Sequence, residues 1–209
     1  MNRLISFLYV LISLTSFSQG FEGFISYKIT HTSLDSTINE IATMPTKLDF
    51  YISGELARID QSTKIGTQTT IIDTLLKRNI LLINLMDKKF GIILDGNDTS
   101  DVENIIYSEE SEDFLGIECK KAIINSINKK TKKSTTSTIY YTNKIDNSYN
   151  INFKKLKGFP IYYEIISNNI ISTYLAVEMT KKNIDPKIFE IDNKTSIYKM
   201  EDFRALMTQ

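Results

Sequence analysis

The chain has 209 residues, 25 of them basic and 25 acidic, with one histidine and one cysteine. That balance leaves no field of one sign to draw in nucleic acid or an anionic membrane surface. A single cysteine also closes the internal-disulfide, CxxC and His/Cys zinc readings, and eight glycines with three prolines give a globular profile without a linker-like segment.

The first element is a leader. In "MNRLISFLYVLISLTSFSQG" a cation at Arg3 precedes an apolar run over 4–14 and small residues at Ser16 and Ser18, the three-part plan of a secretory signal peptide. The run is about half of the ~20 residues that a bilayer span requires. Residues 1–19 are therefore expected to be a signal peptide cleaved after Ser18 or Gln19, and 20–209 a single domain. With Cys119 far downstream, the expected mature chain has no lipid anchor and no transmembrane segment, and is secreted across the inner membrane to a periplasmic or extracellular location.

Period-two patterning follows. In "FEGFISYKITH", Phe21, Gly23, Ile25, Tyr27 and Ile29 fall on one face and Glu22, Phe24, Ser26, Lys28 and Thr30 on the other, as a half-buried strand requires. "TKLDFYISGELARID" reads as a hairpin turning at Ser53-Gly54-Glu55. Further strands are expected over 69–76, 80–86, 89–95, 120–127, 135–145, 160–166 and 170–180, with turn chemistry at Lys77-Arg78-Asn79 and Asn168-Asn169. Short helices are expected over 33–43, 101–107, 185–189 (Asp185 as cap, Pro186 in the first turn) and 200–207. The fold class is mainly β (α+β): a single curved antiparallel sheet, or half-barrel, with a few short helices.

The late strands are apolar on both faces: Ile161, Tyr163 and Ile165 against Tyr162 and Ile166, then Leu175, Val177 and Met179 against Tyr174 and Ala176. Such strands must be covered twice, by helices, a partner or a ligand. With few helices to do it, a greasy concavity follows as an expectation. Its candidate lining is Phe24, Phe50, Ile52, Ile161, Tyr163, Ile165, Tyr174 and Leu175, with plain core packing as the alternative for the residues at 161–165.

Catalytic signatures are absent: no GxSxG, GxxxxGK[ST], GxGxxG or HExxH occurs. His31 has no companion motif and reads as a satisfied histidine, and Cys119 in "GIECKKAII" as a small buried hydrophobe. "DGNDTSDVE" spaces oxygen ligands like a calcium loop but has Ser100 where the turning glycine belongs, so it reads as a solvated loop. The carboxylates at 109–113 lie in a polar stretch with no apolar enclosure. No catalytic residue, metal or cofactor is assigned, and the chain reads as no enzyme.

The segments "FEGFISYKIT", "YISGELARID", "GIECKKAII", "IYYTNKI", "KLKGFPIYYEI" and "KKNIDPKIFEID", in that order, resemble those of the GLPGLI-related domains of unknown function, a group of secreted Bacteroidota-type proteins. Here the signature position reads Gly158-Phe159-Pro160-Ile161 and lacks the second GL. The resemblance implies a fold like that of the outer-membrane lipoprotein carrier LolA, a curved sheet around an apolar cavity. The expected function is a non-enzymatic envelope binding protein holding a lipid, acyl chain or other apolar ligand; the alternative is a module that docks an envelope protein partner through its sheet.

Overall fold

The computed structural model describes residues 20–34, 40–64, 66–85, 88–94, 101–128, 132, 134–167 and 169–208. The expected signal peptide and most of the calcium-like loop lie outside the described residues. Twelve strands form one sheet: β1 (Gly23–Ser33), β2 (Lys47–Ser53), β3 (Leu56–Thr63), β4 (Gly66–Asp73), β5 (Arg78–Leu85), β6 (Lys88–Leu94), β7 (Asp101–Phe114), β8 (Ile117–Asn128), β9 (Ser134–Thr142), β10 (Phe159–Ser167), β11 (Ile170–Lys181) and β12 (Ser196–Lys199). Short 3-10 turns occur at Glu40–Thr43, Asn147–Tyr149 and Pro186–Phe189, and one α-helix, α1, spans Met200–Met207.

The strand order is β12-β6-β5-β4-β3-β2-β1-β11-β10-β9-β8-β7. Two meanders, β1 to β6 and β7 to β11, are thus zipped together where β1 pairs antiparallel with β11. All ladders are antiparallel, as expected of the single curved sheet, except β12 on β6, which is parallel. The sheet is open and rolled. The rings of Phe50 on β2 and Phe159 on β10 lie 5.2 Å apart, although their strands stand three places apart, about 14 Å across a flat sheet.

Register puts Ile25, Tyr27 and Ile29 on the inner face beside Phe50 and Leu48 on one side and Tyr174 and Ala176 on the other. These residues, with Ile52, Ala57, Ile139, Ile161 and Tyr163, form one buried cluster, against which the half-buried Tyr174 packs. Residues 143–158 fold across this inner face and contribute Ile145, Tyr149, Phe153 and Leu156 to it. The crossing is pinned by the Tyr149 hydroxyl, which donates to the Gly54 carbonyl at 2.6 Å, and by Asn147, whose amide donates to the carbonyls of Phe153 and Leu156 at 2.8 Å each. Toward the β6 edge the inner face is capped by α1, where Phe203 meets Phe90 at 5.6 Å between ring centres.

Among the described residues the outer face is covered over β3 to β6. After β11 the chain crosses it to reach β12, guided by Arg58, which donates to the Ile188 carbonyl at 2.8 Å, and by a 2.8 Å Lys89–Asp192 ion pair. Phe189 is buried there, in the same region of the sheet as the buried Ile71 and Ile80. The turn at Pro186–Phe189 is capped as its sequence suggests, with the Asp185 side chain accepting from the Lys187 amide. Asn169 takes the left-handed conformation, φ 62°, at the β10–β11 turn.

Two expectations are corrected. Residues 101–107 are not helical: they begin β7, the longest strand, in register with β8 through Ile105 opposite Ile124 and Tyr107 opposite Ala122. Within 33–43, Ser33 ends β1 and the described helical turn is confined to Glu40–Thr43.

Candidate functional site

Between the inner face and the crossing segment lies a hollow of about 190 Å³. Its apolar walls include Leu48, Phe50, Ile59, Ile165 and the stacked pair Tyr163 and Tyr174, whose rings are 4.4 Å apart and 9° from parallel. Gln61, Thr70, Asn150 and Asn152 supply polar groups, and Ile151 of the crossing segment faces the same space. Such a mixture, mostly apolar with a few polar groups, is the usual make-up of a small-molecule pocket. The size is not usual: small-molecule sites run to roughly 300–1,000 Å³, whereas a dry cavity of about 150 Å³ takes benzene. As folded, the hollow has the volume of a small molecule or a short stretch of a chain.

Of the eight residues expected to line a concavity, Phe50, Tyr163, Ile165 and Tyr174 meet at this hollow. Ile52 and Ile161 are fully buried in solid core and do not line it. Phe24 and Leu175 are on the other side of the sheet. Phe24 pairs with Tyr51, its ring 5.1 Å away, and Lys182 lies over it. Leu175 pairs with Lys28 and Tyr162 and is 36% exposed. The reason is register: apolar residues alternate without interruption here, so composition does not say which face is inward. A shift in the β1–β11 register, Ser26 facing Glu178 but Tyr27 facing Ala176, moves the phase of β11 by one residue.

Sequence reading missed Gln61, Thr70 and the asparagines, which belong to no motif; only the Asn-rich stretch "NSYNIN" hinted that 147–152 would make side-chain-to-backbone bonds. At Gly158 the requirement is close approach: a Cβ there would stand 2.5 Å from the Thr142 carbonyl.

The ionisable groups of the hollow are tyrosines. Burial pushes the hydroxyls of Tyr27, Tyr163 and Tyr174 above the ordinary tyrosine range. They stay neutral at physiological pH, and Tyr27 donates to the Pro160 carbonyl at 2.7 Å. Among the described residues no carboxylate lines the space. His31 is saturated: its Nε2–H donates to the Pro45 carbonyl at 2.6 Å, leaving Nδ1 to accept from the Ser172 hydroxyl at 2.8 Å. Cys119 is fully buried, with burial raising its thiol to about 11. Among the described residues no cluster of three His, Cys, Asp or Glu is placed to hold a metal, and no helix is long and apolar enough to cross a membrane.

A second space, of about 590 Å³, includes Ile72, Arg78, Ile93 and Leu94 in its lining. The crossing segment walls both: Asn150, Ile151 and Asn152 face the first, Ser148 and Lys154 the second.

On the outer face over β7 to β11, Phe114, Tyr140 and Tyr162 form a ring cluster with centres 5.2 to 5.8 Å apart. Ile106 at 51% and Val177 at 47% exposure stand on these strands.

Compared with family models and with curated proteins, the sequence matches none. Among solved structures the chain is similar to the lipoprotein LppX of Mycobacterium tuberculosis, at 8% identity and a TM-score of 0.41 over 78% of this chain and 89% of that one. It is also similar to LprF from Mycobacterium bovis, at 9% identity and a TM-score of 0.35 over 84% of this chain and 95% of that one.

Proposed function

We propose that this protein is a non-enzymatic binding protein of the cell envelope that holds an apolar ligand, such as an acyl chain, inside its rolled sheet. The observation that carries the reading is the hollow itself, walled by Phe50, Ile165, Tyr163 and Tyr174 and roofed by the protein's own 143–158 segment. An apolar ligand there gains about 25 cal/mol per Å² of apolar surface removed from water, and needs no charged partner in the hollow. The roof segment is held by hydrogen bonds and a few side chains rather than by a sheet ladder, so it is the element able to yield to a longer ligand. The leader-like N-terminus supports export, and the resemblance of the motif order to the GLPGLI-related domains, with the LolA-like fold it implies, supports the carrier reading.

Native mass spectrometry of gently purified protein tests it. The expected result is a co-purifying apolar molecule, or uptake of added fatty acid, that is lost in an Ile165→Trp variant whose indole fills the hollow. Stripped protein that takes up no apolar molecule refutes the reading.

A second reading, docking of an envelope protein, is favoured by one observation: the outer face over β7 to β11 carries the Phe114, Tyr140 and Tyr162 cluster beside exposed Leu175 and Val177. Exposed apolar groups gathered on one sheet face mark interaction surfaces. Capture of a stoichiometric partner by the wild type but not by Val177→Glu distinguishes this reading from the first.

A further inference from the structure

The second space differs from the hollow in charge. Among the described residues, Lys77, Arg78 and Lys154 line it against a single carboxylate, Asp73. One oxygen of that carboxylate is engaged by the Leu76 amide at 2.8 Å. The remaining lining is partly apolar, through Ile72, Ile93 and Leu94. The β4–β5 turn, which supplies Lys77 and leads into Arg78, also holds two outward leucines, Leu75 at 74% and Leu76 at 62% exposure. Cations, an apolar wall and a greasy lip on one turn make a surface complementary to a molecule that is itself anionic at one end and apolar along the rest.

We propose that this cleft is the headgroup site of a single-chain anionic amphiphile, carboxylate or phosphate, whose tail passes the 148–154 segment into the hollow. The inference rests on the apolar-ligand reading above and adds the charge and polarity of the ligand. Its geometric basis is the shared wall: one short segment separates the 190 Å³ hollow from the 590 Å³ cleft. Retracting that segment joins them into one trough whose volume lies inside the roughly 300–1,000 Å³ range of small-molecule sites. The head is then held at the rim by Lys77, Arg78 and Lys154, where water still reaches them, so their contribution falls with added salt.

The test compares dodecanoate with 1-dodecanol, equal in chain length and differing in charge, by isothermal titration of the purified protein and a Lys77→Gln/Arg78→Gln variant at low salt. Both residues are exposed, Lys77 in the β4–β5 turn and Arg78 at the start of β5. Dodecanoate is expected to bind wild type about tenfold more tightly than dodecanol. The variant is expected to lose that advantage while binding dodecanol as wild type does. Equal affinity for the two in wild type, or an advantage that survives in the variant, overturns the headgroup assignment alone and leaves the apolar-ligand reading standing. Failure of both to bind overturns both. Binding of inorganic phosphate that is lost in the variant, without binding of dodecanoate, overturns the amphiphile and makes the cleft a free-anion site.

Discussion

Replacing Gly158 by alanine asks whether the roof of the hollow is seated as tightly as the packing implies. The new Cβ would lie 2.5 Å from the Thr142 carbonyl, 2.7 Å from the Asn143 side-chain oxygen and 2.7 Å from a Tyr141 ring carbon. The Asn143 side chain can swing aside. The Thr142 carbonyl cannot, because Thr142 is locked in register with Phe159 in the β9–β10 ladder. Overpacking of this kind costs about 1–3 kcal/mol, and the stiffer unfolded chain of alanine returns about 0.4–1 kcal/mol. With backbone as the immovable partner, the net cost is about 2 kcal/mol. For a domain of this size that lowers the melting temperature by roughly 4–8 °C. Thermal and urea melts measure it, and asparagine substitutions separate mechanism from mere damage. Gly54 has φ 57° and open space around its Cβ position, so Gly54→Asn should be nearly neutral, since asparagine tolerates that conformation. Gly158 does not have a left-handed backbone, so Gly158→Asn should be at least as harmful as Gly158→Ala. Wild-type stability in Gly158→Ala, or rescue by asparagine, would refute the close-approach argument and with it the seating of Phe159 on Phe50.

Two further outcomes follow from the same packing. Tyr149→Phe removes the 2.6 Å bond to the Gly54 carbonyl and is expected to cost about 1 kcal/mol. Hydrogen exchange at the Asn150 and Leu156 amides, which close turns within the roof at 2.9 and 3.0 Å, should accelerate about fivefold; unchanged rates would show that this bond does not hold the roof. Stability should be flat through neutral pH and fall in alkali. Cys119, raised from 9.0 to about 11 by burial, loses its contribution as pH climbs from about 9 to about 11, since the unfolded chain surrenders that proton first. Tyr27 and Tyr163, raised from 10.0, add up to about 1.4 kcal/mol per pH unit each above pH ~10 by the same sign. Urea midpoints across this range check it, Cys119→Ala should move the onset up by about one unit, and a midpoint constant to pH ~10.5 counts against the buried assignments.

Much of the architecture is written locally. Strict alternation in "FEGFISYKITH" places Ile25, Tyr27 and Ile29 on one face, the Ser53-Gly54-Glu55 turn makes the β2–β3 hairpin, and Asp185-Pro186 starts a helical turn where it should. These signals concern neighbours a few residues apart, so sequence alone contains them. Residues 101–107 misled because Val102, Ile105 and Ile106 have helical spacing, while the deciding contact is the β8 ladder across the next turn. β12 has only four residues, and its parallel partner β6 lies about a hundred positions upstream, a pairing with no local trace.

The site shows the same division. Sequence determined that the late strands carry more apolar surface than one face needs, and that residues such as Phe50, Tyr163 and Tyr174 are available to a hollow. Only the tertiary structure decided that Phe24 and Leu175 turn outward, that Ile52 and Ile161 sink into core, and that 143–158 roofs the concavity with Lys77, Arg78 and Lys154 at its rim. The physical reason is that facing and burial are fixed by register and bulges between strands far apart in the chain, whereas apolarity is a property each residue carries with it.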